Sequence, residues 1–292
     1  MCSRFNKFKM QLRMEAKAIE NSAKPPSESP DIVQTADYVF SRIKREEGDS
    51  GSLLLATEKC NRKKQYLVKH AYPDCACNEF VYTKLAQAMG YCMADAVLFQ
   101  ISPDEKRSYF QTEYIIGEKY LNVIDPAPTY ERIREQAVNW KHYFAFFALY
   151  GITCEGDGVE ILLADDNKIY RVDTTDAFPL SARELDVAGI NQQIGGSNPY
   201  LETKKMLLSR DLSQILDVAS CNRQLEYCRK KAADCQPYFL EPFARLQDVP
   251  NGYIDNFLNT LCYFYPDYIG DYFKRYITAM QKQCAAYWKE NR

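Results

Sequence analysis

The pattern of apolar and polar positions changes character near residue 117. Before it, short apolar runs alternate with polar turns, and after it apolar residues recur at helical spacing. Leu53-Leu54-Leu55-Ala56, a charged turn from Glu58 to Lys64, and Gln65-Tyr66-Leu67-Val68-Lys69-His70 read as strand, turn and strand. Period-two alternation places Leu67 and Lys69 on one face of the second strand, with Tyr66, Val68 and His70 on the other. Asp74 caps a helix that carries Glu79 in its opening turns and Val81, Leu85, Ala88 and Met89 on its apolar face, and Gly90 closes it. Ala96 to Ile101 and Ser108 to Tyr114 follow as two more strands. Upstream, Asp31 heads a short helix with Val33, Ala36, Val39, Phe40 and Ile43.

Beyond the change, Thr129 to Tyr150 reads as the strongest helix, with Ile133, Ala137, Trp140, Phe144 and Phe147 on one face. It runs into an acidic loop and a hairpin. Ile161-Leu162-Leu163 is one strand, Ala164-Asp165-Asp166-Asn167 a turn, and Lys168 to Val172 the return strand, which delivers Asp173 to its end. From about residue 200 several helices are expected, with Pro237, Pro242, Pro250 and Pro266 at their breaks. Phe257, Tyr263, Phe264, Tyr268, Tyr272, Phe273 and Tyr276 are expected to pack those helices together.

Composition narrows the class. The 292 residues carry 46% apolar and 26% charged side chains, enough for a sizeable core. A net charge of −2 gives no global electrostatic case for nucleic acid or an anionic membrane. No apolar run approaches a membrane span, and no secretory leader opens the sequence, so a cytoplasmic location is expected. The cysteines number eleven. Cys221, Cys228 and Cys235 are seven residues apart, roughly 10 Å along a helix and too far for one tetrahedral zinc. Reduced, buried thiols are the expectation. Residues 1–35 read as a basic and then Pro/Ser-rich extension, 36–117 as a β-rich lobe, and 118–292 as a helical lobe.

Five carboxylates, Glu155, Asp157, Glu160, Asp173 and Asp176, flank the hairpin. Carboxylates at both ends of such a hairpin suit a phosphotransferase, which must hold Mg²⁺ and accept a proton. A strand lysine followed by a helix glutamate, Lys69 and Glu79, is the pair that positions ATP phosphates in kinase folds. Gly48-Asp49-Ser50-Gly51-Ser52 could cover phosphates, though an ordinary glycine turn reads the same way.

That order of motifs resembles the protein-kinase-like superfamily, and within it the HipA-like, toxin-type Ser/Thr kinases. Tyr66 to His70 and Asn78 to Gly90 look like that family's lysine strand and helix. Lys168 to Asp173 with Asp176-Ala177-Phe178 resembles its metal segment. The resemblance implies an α+β, two-lobed kinase-like fold using ATP and Mg²⁺ and acting on a protein hydroxyl, with a regulatory partner of antitoxin type. By it, Lys69 holds phosphates, Glu79 orients Lys69, Asp173 binds metal, and residues 113–118 are the hinge between the lobes, whose backbone, through Glu113 and Tyr114, meets an adenine edge. The expected catalytic loop departs from the family. Glu155 or Asp157 stands for the base, and Glu160 takes the place of the metal-binding Asn. An active kinase, a pseudokinase kept as a binding module, and another nucleotide-dependent transferase all stay open at this point.

Overall fold

The computed structural model describes residues 31–43, 53–69, 73–100, 114–156, 158–178, 207–264 and 267–292. It shows an α+β chain with a β-rich N-terminal lobe and a larger helical C-terminal lobe. The first lobe is built on β1 (Ile32–Gln34), β2 (Tyr38–Arg42), β3 (Leu54–Glu58), β4 (Gln65–Lys69), β5 (Ala96–Gln100) and β6 (Tyr114–Lys119), with helix α1 (Pro73–Ala88) between β4 and β5. The strand order is β1-β5-β6-β4-β3-β2, antiparallel except for the parallel pair of β1 with β5.

Strand alternation gives the sheet two different faces. Tyr38, Leu54, Ala56, Tyr66, Val68, Val97 and Phe99 form a compact core on one side. Ala96, Leu98 and Ile116 point to the other, where they join α1 and the helical lobe in one continuous core. Leu67 and Lys69 alternate with the buried Tyr66 and Val68, so Lys69 emerges on the side of α1.

Helix α1 is not the amphipathic surface helix its pattern suggested. Every residue from Ala76 to Ala86 is buried, because the sheet covers one side and the helical lobe the other. Its end is tightly closed. Gly90, at φ +86, lets the Tyr91 N–H reach Ala86 O and the Gly90 N–H reach Gln87 O, the paired bonds of a Schellman cap. Arg245 from the helical lobe donates to Met89 O at 2.6 Å, so the two lobes share the cap.

A second sheet of three antiparallel strands, β7 (Val123–Asp125), β8 (Glu160–Ala164) and β9 (Ile169–Val172), opens the second lobe. Between β7 and β8 lie α2 (Tyr130–Gln136) and α3 (His142–Thr153). Helices α4 (Val218–Lys231), α5 (Gln236–Asp248), α6 (Asn251–Phe264) and α7 (Asp267–Asn291) complete it. Phe257, Tyr268, Tyr272, Phe273 and Tyr276 are buried among these helices, as expected. Cys221, Cys228, Cys235 and Cys284 are buried free thiols.

Four local expectations fail for physical reasons. The helix expected from Asp31 is a strand, a 3-10 turn (Thr35–Asp37) and a second strand, because Ile32 to Gln34 find a parallel partner in β5 and Tyr38 to Arg42 an antiparallel one in β3. The long helix from Thr129 is broken between Gln136 and His142. There the Asn139 side chain accepts the Ile169 N–H at 2.8 Å and donates to Ile169 O at 3.0 Å, and the Val138 N–H goes to Asn167 O. These bonds to the hairpin replace helical ones. Pro242 lies inside α5 rather than at a break, where it is buried with Phe239, Leu240, Phe243 and Leu246. Of the hinge expected at 113–118, the residues from Tyr114 on belong to β6, so the two sheets are joined by residues 120–122. The expected strand from Ser108 falls outside the described residues up to 113.

Gly117 sits where β6 passes beneath Phe99. A Cβ there would come within 2.4 Å of Phe99 Cε2 and 3.3 Å of Tyr66 Cβ. Gly117→Ala is therefore expected to destabilise the protein by about 1–3 kcal/mol through overpacking. Urea denaturation of Gly117→Ala with and without Phe99→Leu checks this, and the glycine substitution should cost less beside the smaller side chain.

Candidate functional site

The site lies where the end of β4 meets α1 and the segment after β9. Lys69 is the last residue of β4 and Glu79 sits in α1. The ammonium donates to Glu79 Oε1 at 2.6 Å and to Asp173 Oδ1 at 3.3 Å. Lys69, Glu79 and Asp173 thus converge, although 104 residues separate Lys69 from Asp173. A third carboxylate joins them. Glu118 stands opposite Leu67 in the β4–β6 ladder, diagonal to Lys69, and its Oε2 lies 3.5 Å from the ammonium.

Burial sharpens these charges. Glu79 and Glu118 are buried, whereas the Asp173 side chain is 48% exposed. Burial works against the charged form of Lys69, but Glu118, Glu79 and Asp173 outweigh it and hold the ammonium above the usual lysine range. Burial and the neighbouring Glu118 push Glu79 well above the ordinary carboxylate range, despite the lysine.

Asp173 reaches the lysine because the chain turns sharply after β9. Its φ is +54, a left-handed conformation that Asp tolerates better than most side chains. Phe178, also left-handed at φ +62, closes the segment. Its N–H donates to Thr153 O at 2.8 Å, and its ring meets Phe273 and Tyr276 edge-on. Asn78, next to Glu79 on α1, donates to Thr175 O at 3.0 Å. One helix therefore positions both the lysine and the segment after β9.

The acidic loop is held quite differently. Glu155 is fully buried in an ion pair with Arg171, itself fully buried in β9. The Arg171 guanidinium also donates to Gly158 O, Glu160 O and Val172 O, at 3.1, 3.0 and 2.8 Å. It ties Glu155, Gly158 and Glu160 onto the strand that ends just before Asp173. A base must reach the proton it takes, and the Glu155 carboxylate is spent on Arg171. Asp157 lies outside the described residues. Glu160 is exposed at the start of β8, in register with Val172.

Solved structures matched to this chain include the crystal structure of a Helicobacter pylori proinflammatory kinase, CtkA, at 10% sequence identity and a TM-score of 0.42, covering 86% of this chain and 98% of that one. No protein-family model matches, and no curated protein matches in sequence.

Among the described residues no three His, Cys, Asp or Glu side chains gather as a metal cage. A magnesium ion carried on phosphates needs only one or two protein carboxylates, and an accessible Asp173 beside Lys69 fits that demand. The segment expected to meet an adenine edge lies largely within a strand. Tyr114 begins β6, its backbone paired with Gln100, and the backbone from Ile116 to Glu118 is bonded to both β5 and β4. Glu113 lies outside the described residues. No helix among the described residues is long and apolar enough to cross a membrane.

Glu118 and Arg171 were missed in the sequence, yet each left a signal. Arg171 shares the inward face of β9 with Ile169, and a charge there needs a buried partner. Glu118 follows an apolar run and shares its face with Ile116. Because removing one member of a buried pair strands the other, Arg171→Met is expected to cost about 3–5 kcal/mol. Glu155→Met/Arg171→Met together should cost far less. Chemical denaturation of the two variants tests this, and equal losses would rule out the ion pair as the cause.

Proposed function

We propose that the chain is an ATP-dependent phosphotransferase of kinase-like type that transfers the γ-phosphoryl group to a Ser or Thr hydroxyl of a protein. The observation that carries this reading is the meeting of Lys69, Glu79 and Asp173 at the end of β4. Lys69 would hold ATP phosphates, Glu79 would orient it, and Asp173, with Glu160 at the neighbouring strand start, would hold Mg²⁺. The metal would offset charge on the transferring group, so the protein contributes chiefly position and electrostatics. Of the two carboxylates considered for the base, Glu155 is committed to Arg171, which leaves Asp157 for that role. The HipA-like type and an antitoxin-like partner belong to this reading as well.

A second reading has its own support. The locked Glu155–Arg171 pair favours a pseudokinase, a module that binds nucleotide with little transfer, because it removes one of the two candidate bases.

Purified protein with Mg²⁺ and γ-labelled ATP separates the two. In the first, label enters protein, and Lys69→Ala and Asp173→Asn each lower incorporation by about 10²-fold or more. Asp157→Asn lowers it too, while Glu155→Gln is judged only where melting shows it folded. A thermal shift on Mg²⁺ and ATP without incorporation establishes the second reading. Neither shift nor incorporation with Mg²⁺ or Mn²⁺ sinks both.

A further inference from the structure

An ammonium has three N–H donors, and three carboxylates surround Lys69 at 2.6, 3.3 and 3.5 Å. A phosphate that enters to bind Lys69 must take a donor from one of them. Asp173 is accessible and has a use for a metal, and Glu79 makes the shortest contact. Glu118 makes the longest. Its Oε2 faces the ammonium, while its Oε1 is buried without a hydrogen-bond partner. That arrangement is costly for an ionised carboxylate. The groups that face it are Lys69 from β4 and Glu79 from α1, with Asp173 across the ammonium, and Ala96 stands opposite it on β5. With all three carboxylates ionised, the cluster carries two negative charges more than its lysine cancels, which repels a further anion.

We infer that Glu118 is a specificity-determining residue: its carboxylate competes with incoming phosphate for the Lys69 ammonium, so the cleft admits a phosphate anion together with a compensating cation, a divalent metal or a proton. This rests on the nucleotide reading above. With Mg²⁺ present the metal supplies the compensation. Without it, a proton retained by Glu79, which burial and the nearby Glu118 carboxylate favour, does so, and anion affinity falls as that proton is lost at higher pH. The bound state withdraws lysine donors from Glu79 and so holds the proton more tightly than the free state, and binding takes up a proton where free Glu79 has lost it. Burial with Glu118 beside it pushes Glu79 to about 8, which sets the pH window.

Calorimetric titration of the full chain with ATP in EDTA, at pH 7 and pH 9 and in buffers of different ionisation enthalpy, reads affinity and proton uptake together. Wild type is expected to lose about tenfold in metal-free affinity between the two pH values, with uptake approaching one proton at pH 9. Glu118→Gln should abolish the uptake and raise metal-free affinity at pH 9 by about tenfold. Glu118→Asp, which keeps the charge, should retain the wild-type pH dependence. In Mg²⁺ all three proteins should bind ATP with similar affinity. Equal metal-free affinities for wild type and Glu118→Gln at pH 9 would overturn the competition while leaving nucleotide binding in place. Should Glu118→Gln fail to fold, absence of proton uptake by wild type at pH 9 overturns it equally. No binding of ATP by wild type in Mg²⁺ at either pH removes the nucleotide reading and this inference with it.

Discussion

One ammonium joins the parts of this protein that the chain keeps far apart. Lys69 closes a strand of the first sheet, Glu79 lies in the buried helix that follows, Glu118 belongs to the strand beside it, and Asp173 comes from the end of the second sheet. Glu79 and Glu118 would each be expensive to bury alone, and a lysine at the inner edge of a sheet would be equally so. Their mutual neutralisation makes the cluster possible, and through Asp173 it also ties the lobes together. The cost is an excess of negative charge around one ammonium.

Arg171 is the counterpart on the other side. It sits two residues before Asp173 and gathers Glu155 and three backbone carbonyls around itself. The backbone bond from Arg171 to Cys92 O, at 3.4 Å, adds a link from β9 to the segment just after α1. Asp173 is thus steered by two charged centres, Lys69 in front and Arg171 behind, while Phe178 anchors the far end of the turn. A left-handed residue at each end of a six-residue segment is sustained only because both ends are held this firmly.

The parts legible in the sequence were those whose local pattern and tertiary setting agree. The strand of Lys69 reads correctly because Tyr66 and Val68 really do face a core, and the hairpin from Ile161 to Val172 reads correctly because its Asp/Asn turn suits Asn167 at φ +56. The failures share one cause, a distant partner that overrides a local preference. Asn139 bonded to β9 stops a helix that apolar spacing would continue, and β5 draws Ile32 to Gln34 into a strand. Residues 114–119 carry no sign in their own composition that they are sheet rather than hinge, since that depends on β4 and β5 lying on either side.

The same reasoning explains why the site was only half visible. Lys69, Glu79 and Asp173 stand at motif positions, and motif order alone was enough to nominate them. Glu118 and Arg171 belong to no motif and are seen only once the strands are paired, yet they set the electrostatics of the cleft and of the acidic loop. Glu155, the most motif-like residue of that loop, is the one the fold removes from service, because a fully buried Arg171 must have a carboxylate and Glu155 is its partner. A cluster that looked rich in acids available for chemistry is therefore two clusters with different duties. One balances the lysine at the end of β4, and the other neutralises an arginine that holds the loop in shape.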